Sequence, residues 1–363
     1  MKDFEGTSKV QHKALLALAA LMIVALFGLV GCGSSDESGS AASNGGNYND
    51  LEAVTLILAD STSKGAAGNL WAEEVAARAS EITDGKLTID YHGCGDLGGD
   101  TDLIRQEQSN DIQMVIAQPA AMVSFVPDLA VFDLPLAFAT YDADQIESTL
   151  NGDNDFTAAL QESYEEAGLY NLGWLQNATY RQTTSNKALN SLEDFKGLQI
   201  RTMENANHMA FWEAAGAEPT PLAFSEVYFA LQNGTVDAQE NAVDTCVGAS
   251  FQEVQDYLCM TSHILYANNI SINKECWDSL DPAYQEALKQ AIAEASETIR
   301  PQITELEASN LEVMTDAGVE VIEYDDSFFE EYLALDGIQA VYESISEQTD
   351  GLSDDMLETL QNA

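Results

Sequence analysis

The feature that most limits what this chain can fold into is an alternation of short apolar runs with segments of helical period, which occurs twice along its length. The segment AVTLILAD, from Ala53 to Asp60, is short and almost wholly apolar, as a buried strand is. From Gly68 to Thr83 the apolar positions Leu70, Trp71, Val75 and Ala79 recur at helical spacing. Asp84-Gly85 ends that helix as a turn, Lys86 to Tyr91 alternates as a second strand, and after a glycine-rich loop Thr101 to Ser109 reads as a helix and Ile112 to Ala117 as a strand. The alternation returns after Leu169, with strands over 170–175, 180–185 and 198–202 and helices near Ser191 and over 205–215. Strands alternating with helices predict a largely parallel sheet, here one in each of two α/β lobes. Two acidic amphipathic stretches, 281–308 and 326–348, read as long helices packed across the lobes. Open α/β sheets bind ligands beyond the carboxyl ends of their strands, and clefts between domains are favoured pockets, so the pattern predicts a two-lobed clamp.

The N-terminus places that clamp outside the cytoplasm. Lys2, Lys9 and Lys13 precede an uninterrupted run of 17 apolar residues, Ala14 to Val30, which stops at Gly31-Cys32. Basic residues followed by such a run form a secretory leader. Leu29-Val30-Gly31-Cys32 resembles the bacterial lipobox, which implies cleavage before Cys32 and a lipid on its thiol. The residues after it, GSSDESGSAASNGGNYND, have almost nothing apolar to bury and so read as a tether, 32–50, holding the domain near the membrane without spanning it.

Charge removes whole classes of function. Lys and Arg number 14 against 61 Asp and Glu, a net charge of -47, so nucleic acid is no partner for a chain without a basic patch. Arginine is scarce: Arg78, Arg105, Arg181, Arg201 and Arg300 are all there is, and any cationic site must draw on them. The four histidines are scattered and no C-x-x-C pair occurs, so no metal site is expected; the pairing of Cys94, Cys246, Cys259 and Cys276 is left open. Gly93-Cys94-Gly95-Asp96-Leu97-Gly98 matches G-x-G-x-x-G, but it follows the second strand of its lobe, and an exported chain lacks the usual nicotinamide supply. We read it as a glycine-rich turn with positive φ angles and expect no cofactor. Phosphate-loop, nucleophile-elbow and H-E-x-x-H motifs are absent from the sequence.

The most specific stretch is Gln176 to Asn241, where NATYRQTTSNKALNSLEDFKGLQIRTMENANH precedes GAEPTPLAFSEVYFALQNGTVDAQEN. With DGKLTIDYHGCGDLGGDTDLI and VPDLAVFDLPLAF upstream, it resembles the substrate-binding subunit of tripartite ATP-independent periplasmic (TRAP) transporters, in the branch of C4-dicarboxylate and sialic-acid binding proteins, from about residue 54 to 300. The resemblance implies a periplasmic-binding-protein-like fold with long C-terminal helices, no enzymatic activity, and delivery of a small organic carboxylate to a membrane permease. It implies that Arg201 forks the ligand carboxylate, that Arg181 is a second arginine of the site, and that Asn241 and Phe224 line it. The residue types suit the task, because guanidinium keeps its charge and presents parallel N–H donors to a carboxylate.

On the other lobe Gln118 stands where the sialic-acid branch carries an acid, and Ala121 where it carries a base, which argues against sialic acid. Gln118 reads as a neutral hydrogen-bonding wall, and Asp60 and Ser61, at the end of the first strand, as residues of the same cleft edge. The expected partition is leader 1–31, tether 32–50, one lobe from 51–178 plus 267–305, and the other from 179–266 plus 306–363. Two rival readings remain: an extracytoplasmic hydrolase, for which Ser185 and His208 are the nearest nucleophile and base, and a sensory binding protein that reports to a receptor.

Overall fold

The computed structural model describes residues 48–363; the leader, Cys32 and the tether up to residue 47 lie outside the described residues. The first lobe is laid down by β1 (Val54–Asp60), α1 (Ala67–Ile82), β2 (Leu87–His92), α2 (Asp100–Gln108), β3 (Met114–Ala117), α3 (Pro119–Met122), α4 (Ala143–Asn151), α5 (Asp155–Glu166) and β4 (Leu169–Leu175). The second lobe follows with β5 (Gln182–Ser185), β6 (Gln199–Thr202), α6 (Ala206–Ala214), β7 (Glu218–Pro221), α7 (Phe224–Gln232), β8 (Ala238–Asn241), α8 (Val243–Gly248) and β9 (Tyr257–Cys259). The chain then returns through β10 (Asn268–Asn273), α9 (Lys274–Ser279) and α10 (Pro282–Asp316), and ends in β11 (Glu320–Ile322), α11 (Asp326–Leu333), α12 (Asp336–Gln348) and α13 (Leu352–Asn362).

The first sheet has the order β2-β1-β3-β10-β4 and the second β11-β9-β5-β8-β6-β7. Neither is wholly parallel. β1 pairs parallel with β2 and β3, but β10 runs antiparallel to β3 and β4. In the second lobe β6 is parallel to β7 and β8, while β5 is antiparallel to β8 and β9. The expected parallel sheets are therefore mixed, because each receives a strand from a chain that has crossed over from the other lobe.

Both faces of the first sheet are covered, and strand alternation distributes the core between them. On β3, Met114 and Ile116 pack with α1 and α10, whereas Val115 and Ala117 pack with Leu129, Phe132 and Trp174 on the opposite face. The lobes are joined where the chain crosses twice. Tyr180 bridges Leu265, Arg181 N donates to Ile264 O at 2.9 Å and Tyr266 N to Thr179 O at 2.8 Å, so the two crossings form a short antiparallel ribbon. The third connection is α10, whose 35 residues span about 52 Å at 1.5 Å each. Ala287, Ala291 and Ala295 pack it on the first lobe, and Met314, beyond Pro301, packs on the second.

Two boundaries differ from the expected partition. Tyr48, inside the segment read as tether, is buried with its ring stacked on Tyr284 and belongs to the first lobe. The last helices do not stay with the second lobe: Val341, Ile345, Leu352, Met356 and Leu360 join the first-lobe cluster around Phe156 and Leu160.

Candidate ligand-binding site

The strand ends β1, β3, β6 and β8 all point at the same gap, and that is where the candidate site lies. Ser61, Thr62, Asp100, Ala117 and Gln118 from the first lobe face Arg201, Met203, Phe224, Asn241 and Thr245 from the second around a narrow chamber. It opens into a wider cleft of about 860 Å³, rimmed by Lys64, Arg105, Ala121, Glu204 and Tyr228. Lys64 and Arg105 of the first lobe stand at the mouth, and among the described residues Arg201 is the one cation lining the inner chamber.

Arg201 is the third of the four residues of β6, near the strand end that faces the interlobe gap. Its Nε and Nη2 donate to the carbonyl oxygen of Leu222, at 3.0 and 2.7 Å, which locks the plane of the guanidinium. Its Nη1 is buried and has no hydrogen-bond partner among the described residues. Burial pulls the pKa down to about 10, opposed by the charge of Glu240 and aided to a lesser extent by that of Arg181, so the group is still a cation at neutral pH. A desolvated, orientationally fixed cation with a free donor is a receptor for an anion.

Arg181 does something else. It sits on the crossing ribbon, 1% exposed, with Nε 2.5 Å from Glu240 Oε2 and Nη2 2.9 Å from Oε1. Burial opposes its charge, yet the attraction and hydrogen bonds of Glu240 outweigh burial and leave its pKa raised, while Glu240 is held well below the usual carboxylate range. Glu240 also accepts from His263 Nε2 at 3.1 Å; burial lowers the His263 pKa, and the neutral ring takes a second bond from Thr261 at 2.9 Å through Nδ1. Arg181 is thus neutralised behind the wall, and its remaining nitrogen, Nη1, donates to Gln118 Oε1.

That contact orients Gln118. With its oxygen turned to Arg181, the amide presents its NH2 group, a donor, on the chamber side. Asn241, whose Nδ2 donates to Gln239 Oε1 at 3.3 Å, lines the chamber, and Phe224, half-buried against Phe251, forms an apolar wall at the start of α7. Ser61 lines the chamber, but Asp60 does not. Its carboxylate is fully buried and accepts from Thr62 N and Oγ1 at 2.8 Å each, from Tyr91 Oη and from Cys94 N, so it organises the loops that carry Ser61.

The glycine-rich run folds as the sequence predicts, and two residues went unanticipated. The G-x-G-x-x-G run is a turn: Cys94, Gly95 and Gly98 have φ of 61, 75 and 133°, Gly98 N donates to Gly95 O, and Gly95 N donates to Asp60 O, so these amides close on the protein itself. Asp100, the first residue of α2, was not singled out; it lines the chamber and accepts from Ser61 Oγ, and burial raises its pKa against the opposing effects of Ser61 and Arg201. Glu240, next to Asn241, was also missed. A signal for it exists in the register, since β5 and β8 pair Gln182 with Asn241 and Thr183 with Glu240, one step from Arg181. Ser185 and His208 share no hydrogen bond: Ser185 is paired with Ala238 and Tyr257 at the far end of β5, while His208 Nε2 is 3.1 Å from Asp133. The four cysteines among the described residues are free thiols, and burial pushes Cys246 up to about 12 and Cys259 to about 11.

Residues 57–347 match the family described as bacterial extracellular solute-binding protein, family 7. The chain belongs to this family of TRAP-type solute-binding proteins. This family 7 protein is 30% identical over 274 residues to the 2,3-diketo-L-gulonate-binding periplasmic protein of Escherichia coli, covering 75% of this chain and 82% of that one. It is 26% identical over 341 residues to the C4-dicarboxylate-binding protein of Bacillus subtilis, covering 92% and 95%. A TRAP periplasmic solute-binding protein from Sulfitobacter sp. NAS-14.1, solved with bound β-D-galacturonate, superposes with a TM-score of 0.77 at 27% identity over 85% of this chain and 100% of the other. These relatives bind solutes and are not enzymes, so the family 7 chain is read as a binding protein and the hydrolase reading lapses.

Proposed function

We propose that this protein captures a small organic carboxylate outside the cytoplasm, with Arg201 as the residue that holds it, and delivers it to a TRAP-type permease. The observation that carries the reading is the Nη1 of Arg201, a buried cationic donor without a partner among the described residues, aimed into a chamber between two lobes. A ligand carboxylate supplies the missing acceptor and the missing counter-charge together. Gln118, Asn241, Phe224 and Ser61 complete the wall, and Arg181 serves the site through Gln118. Closure then follows from better contacts in the closed arrangement, with the crossing ribbon and α10 as the joints.

The relatives support this reading: one binds a C4-dicarboxylate and another holds a uronate. The lipobox-like Leu29 to Cys32 supports a lipid anchor at Cys32, which would keep the loaded protein beside the permease. Native mass spectrometry of the purified protein, with identification of the released molecule, tests the reading. A bound organic acid is expected; a neutral or cationic cargo overturns it. Fatty-acid labelling of the parent and of Cys32→Ser tests the anchor, and labelling that survives the substitution refutes it. Uptake in cells carrying the protein with and without adjacent permease genes tests delivery, while a receptor response without uptake would favour the sensory reading.

A further inference from the structure

The two lobes touch where a helix begins. α1 has Ala66 as its N-cap residue, so it carries no capping side chain of its own, and its first turn holds no acid. The cap comes from the other lobe: Ala67 N donates to Asp244 Oδ2 at 3.0 Å, while Asp244 Oδ1 accepts from Thr245 N and Oγ1. Ser63, in the loop before α1, donates through Oγ to Thr245 O at 3.2 Å. Gly248, the last residue of α8, completes the contact. A Cβ at Gly248 would lie 2.5 Å from Ser63 Cβ, closer than two unbonded carbons sit, so the glycine is what lets α8 meet that loop.

A carboxylate is favoured at a helix N-terminus because it accepts from an orphan amide and faces the positive end of the helix dipole. Burial raises the pKa of Asp244, and the donors from Ala67 and Thr245 oppose that rise, so they are what hold the charge in place. The contact adjoins the chamber from both lobes: Thr62 precedes Ser63, Thr245 follows Asp244, and both line the chamber wall. When Thr62 and Thr245 separate to admit a solute, Ala67 and Asp244 separate with them.

We propose that Asp244 is a positioning residue for capture, which caps α1 across the cleft only while the lobes are closed and so sets how long a bound solute stays. The proposal rests on the reading that the lobes open and close, and it is independent of which solute Arg201 takes. Opening uncaps α1, so the cap weights the equilibrium toward the closed arrangement by its difference between the two states. The effect therefore falls on release and not on entry.

The test measures association and dissociation rates of D-galacturonate and of succinate on the full chain by stopped-flow fluorescence. Asp244→Ala should raise the dissociation rate by about threefold to thirtyfold, the range for losing an N-cap, with the association rate within about twofold of the parent. Asp244→Asn should recover most of that loss, since asparagine caps as well as aspartate. Gly248→Ala sets a methyl group against Ser63 and should also speed dissociation, and adding Ser63→Gly should reverse part of the change. A dissociation rate unmoved in Asp244→Ala overturns the proposal, because the contact then survives opening; so does a loss carried by the association rate alone. For a parent that binds neither acid, small-angle scattering of the ligand-free chain decides. Asp244→Ala and Gly248→Ala should then give a larger radius of gyration than the parent, and matching curves overturn the proposal. Arg201→Ala keeps the two readings apart: it should abolish binding and leave the ligand-free scattering unchanged, whereas binding that survives it removes the carboxylate reading and leaves the Asp244 rates to decide this one.

Discussion

Arg181 Nε and Glu240 Oε2 lie 2.5 Å apart in the joint between the lobes, with the side chains 1% and 0% exposed. This pair is read here as a buttress that turns Gln118 toward the chamber. Removing one member of a buried pair leaves an uncompensated charge, typically at a cost of about 3–5 kcal/mol, whereas replacing both by apolar groups of similar size is often close to neutral. Glu240→Ala and Arg181→Ala should each lower the midpoint of urea unfolding sharply, and Arg181→Met with Glu240→Leu should restore much of it. The double variant should still bind ligand more weakly than the parent, because Gln118 has lost its orienting donor. Equal destabilisation by single and double variants would remove the pair from its supporting role.

Arg201 makes the opposite prediction for stability. Its charge is buried without a carboxylate of its own, and burial lowers its pKa to about 10, so folding bears a cost at this residue. Arg201→Ala should leave the ligand-free thermal midpoint unchanged or raised, while affinity for the acid carried by the purified parent falls by about 2–5 kcal/mol, roughly thirtyfold or more. Arg201→Lys should recover only part of that affinity, since an ammonium lacks the planar fork that Leu222 O holds in place. Differential scanning calorimetry and titration calorimetry on the same samples separate the two effects; a variant that binds as tightly as the parent removes Arg201 from the site.

How much of this was legible follows from what kind of pattern each element leaves. β1, α1, β2 and α2 read out correctly to within about two residues because their apolar positions follow one period on one face. β10 left no such trace: Asn268, Asn269, Ser271 and Asn273 are buried on it, with the Nδ2 groups of Asn269 and Asn273 donating to Asn171, Gly173 O and Glu107 O, so a core strand looks polar. The end of α10 was read eight residues early, because its apolar stripe changes lobes after Ile303. Arg201 was reached through the family resemblance, which the scarcity of arginine in this chain supports, whereas Asp100 and Glu240 were hidden among 61 acids. Asp60 misled because a strand end in an α/β sheet points at a ligand or at a loop, and only the four hydrogen bonds to its carboxylate distinguish the cases.

Glu107 should make stability fall as pH rises. It is fully buried between α2 and the first sheet, Oε1 has no partner among the described residues, Oε2 accepts from Ser271 at 3.1 Å, and burial pushes its pKa up to about 8. An acid whose folded pKa lies above its unfolded value of 4.5 binds its proton more tightly when folded. Its contribution is therefore complete below about pH 4.5 and is lost as pH rises toward 8, by an amount on the order of a few kcal/mol. Glu107→Gln keeps the shape and removes the titration. In urea unfolding from pH 5 to 8.5, the variant should gain on the parent steadily with pH; a difference that stays flat would mean that Glu107 is charged in the fold.

The C-terminal helix offers a test of where the chain ends its work. Met356 and Leu360 are fully buried and pack into the first-lobe core, although α13 follows elements that belong to the second lobe. Met356→Ala should cost about 2–5 kcal/mol, the range for emptying a buried aliphatic position. Val313→Ala, at a position 43% exposed on the second-lobe half of α10, should change stability by no more than about 0.5 kcal/mol. Because α13 ties the first lobe to a segment arriving from the second, the Met356 variant should also raise hydrogen exchange in α4 and α5, its neighbours, more than in β6 or β8. Exchange that rises instead in the second-lobe sheet would place α13 energetically with the second lobe.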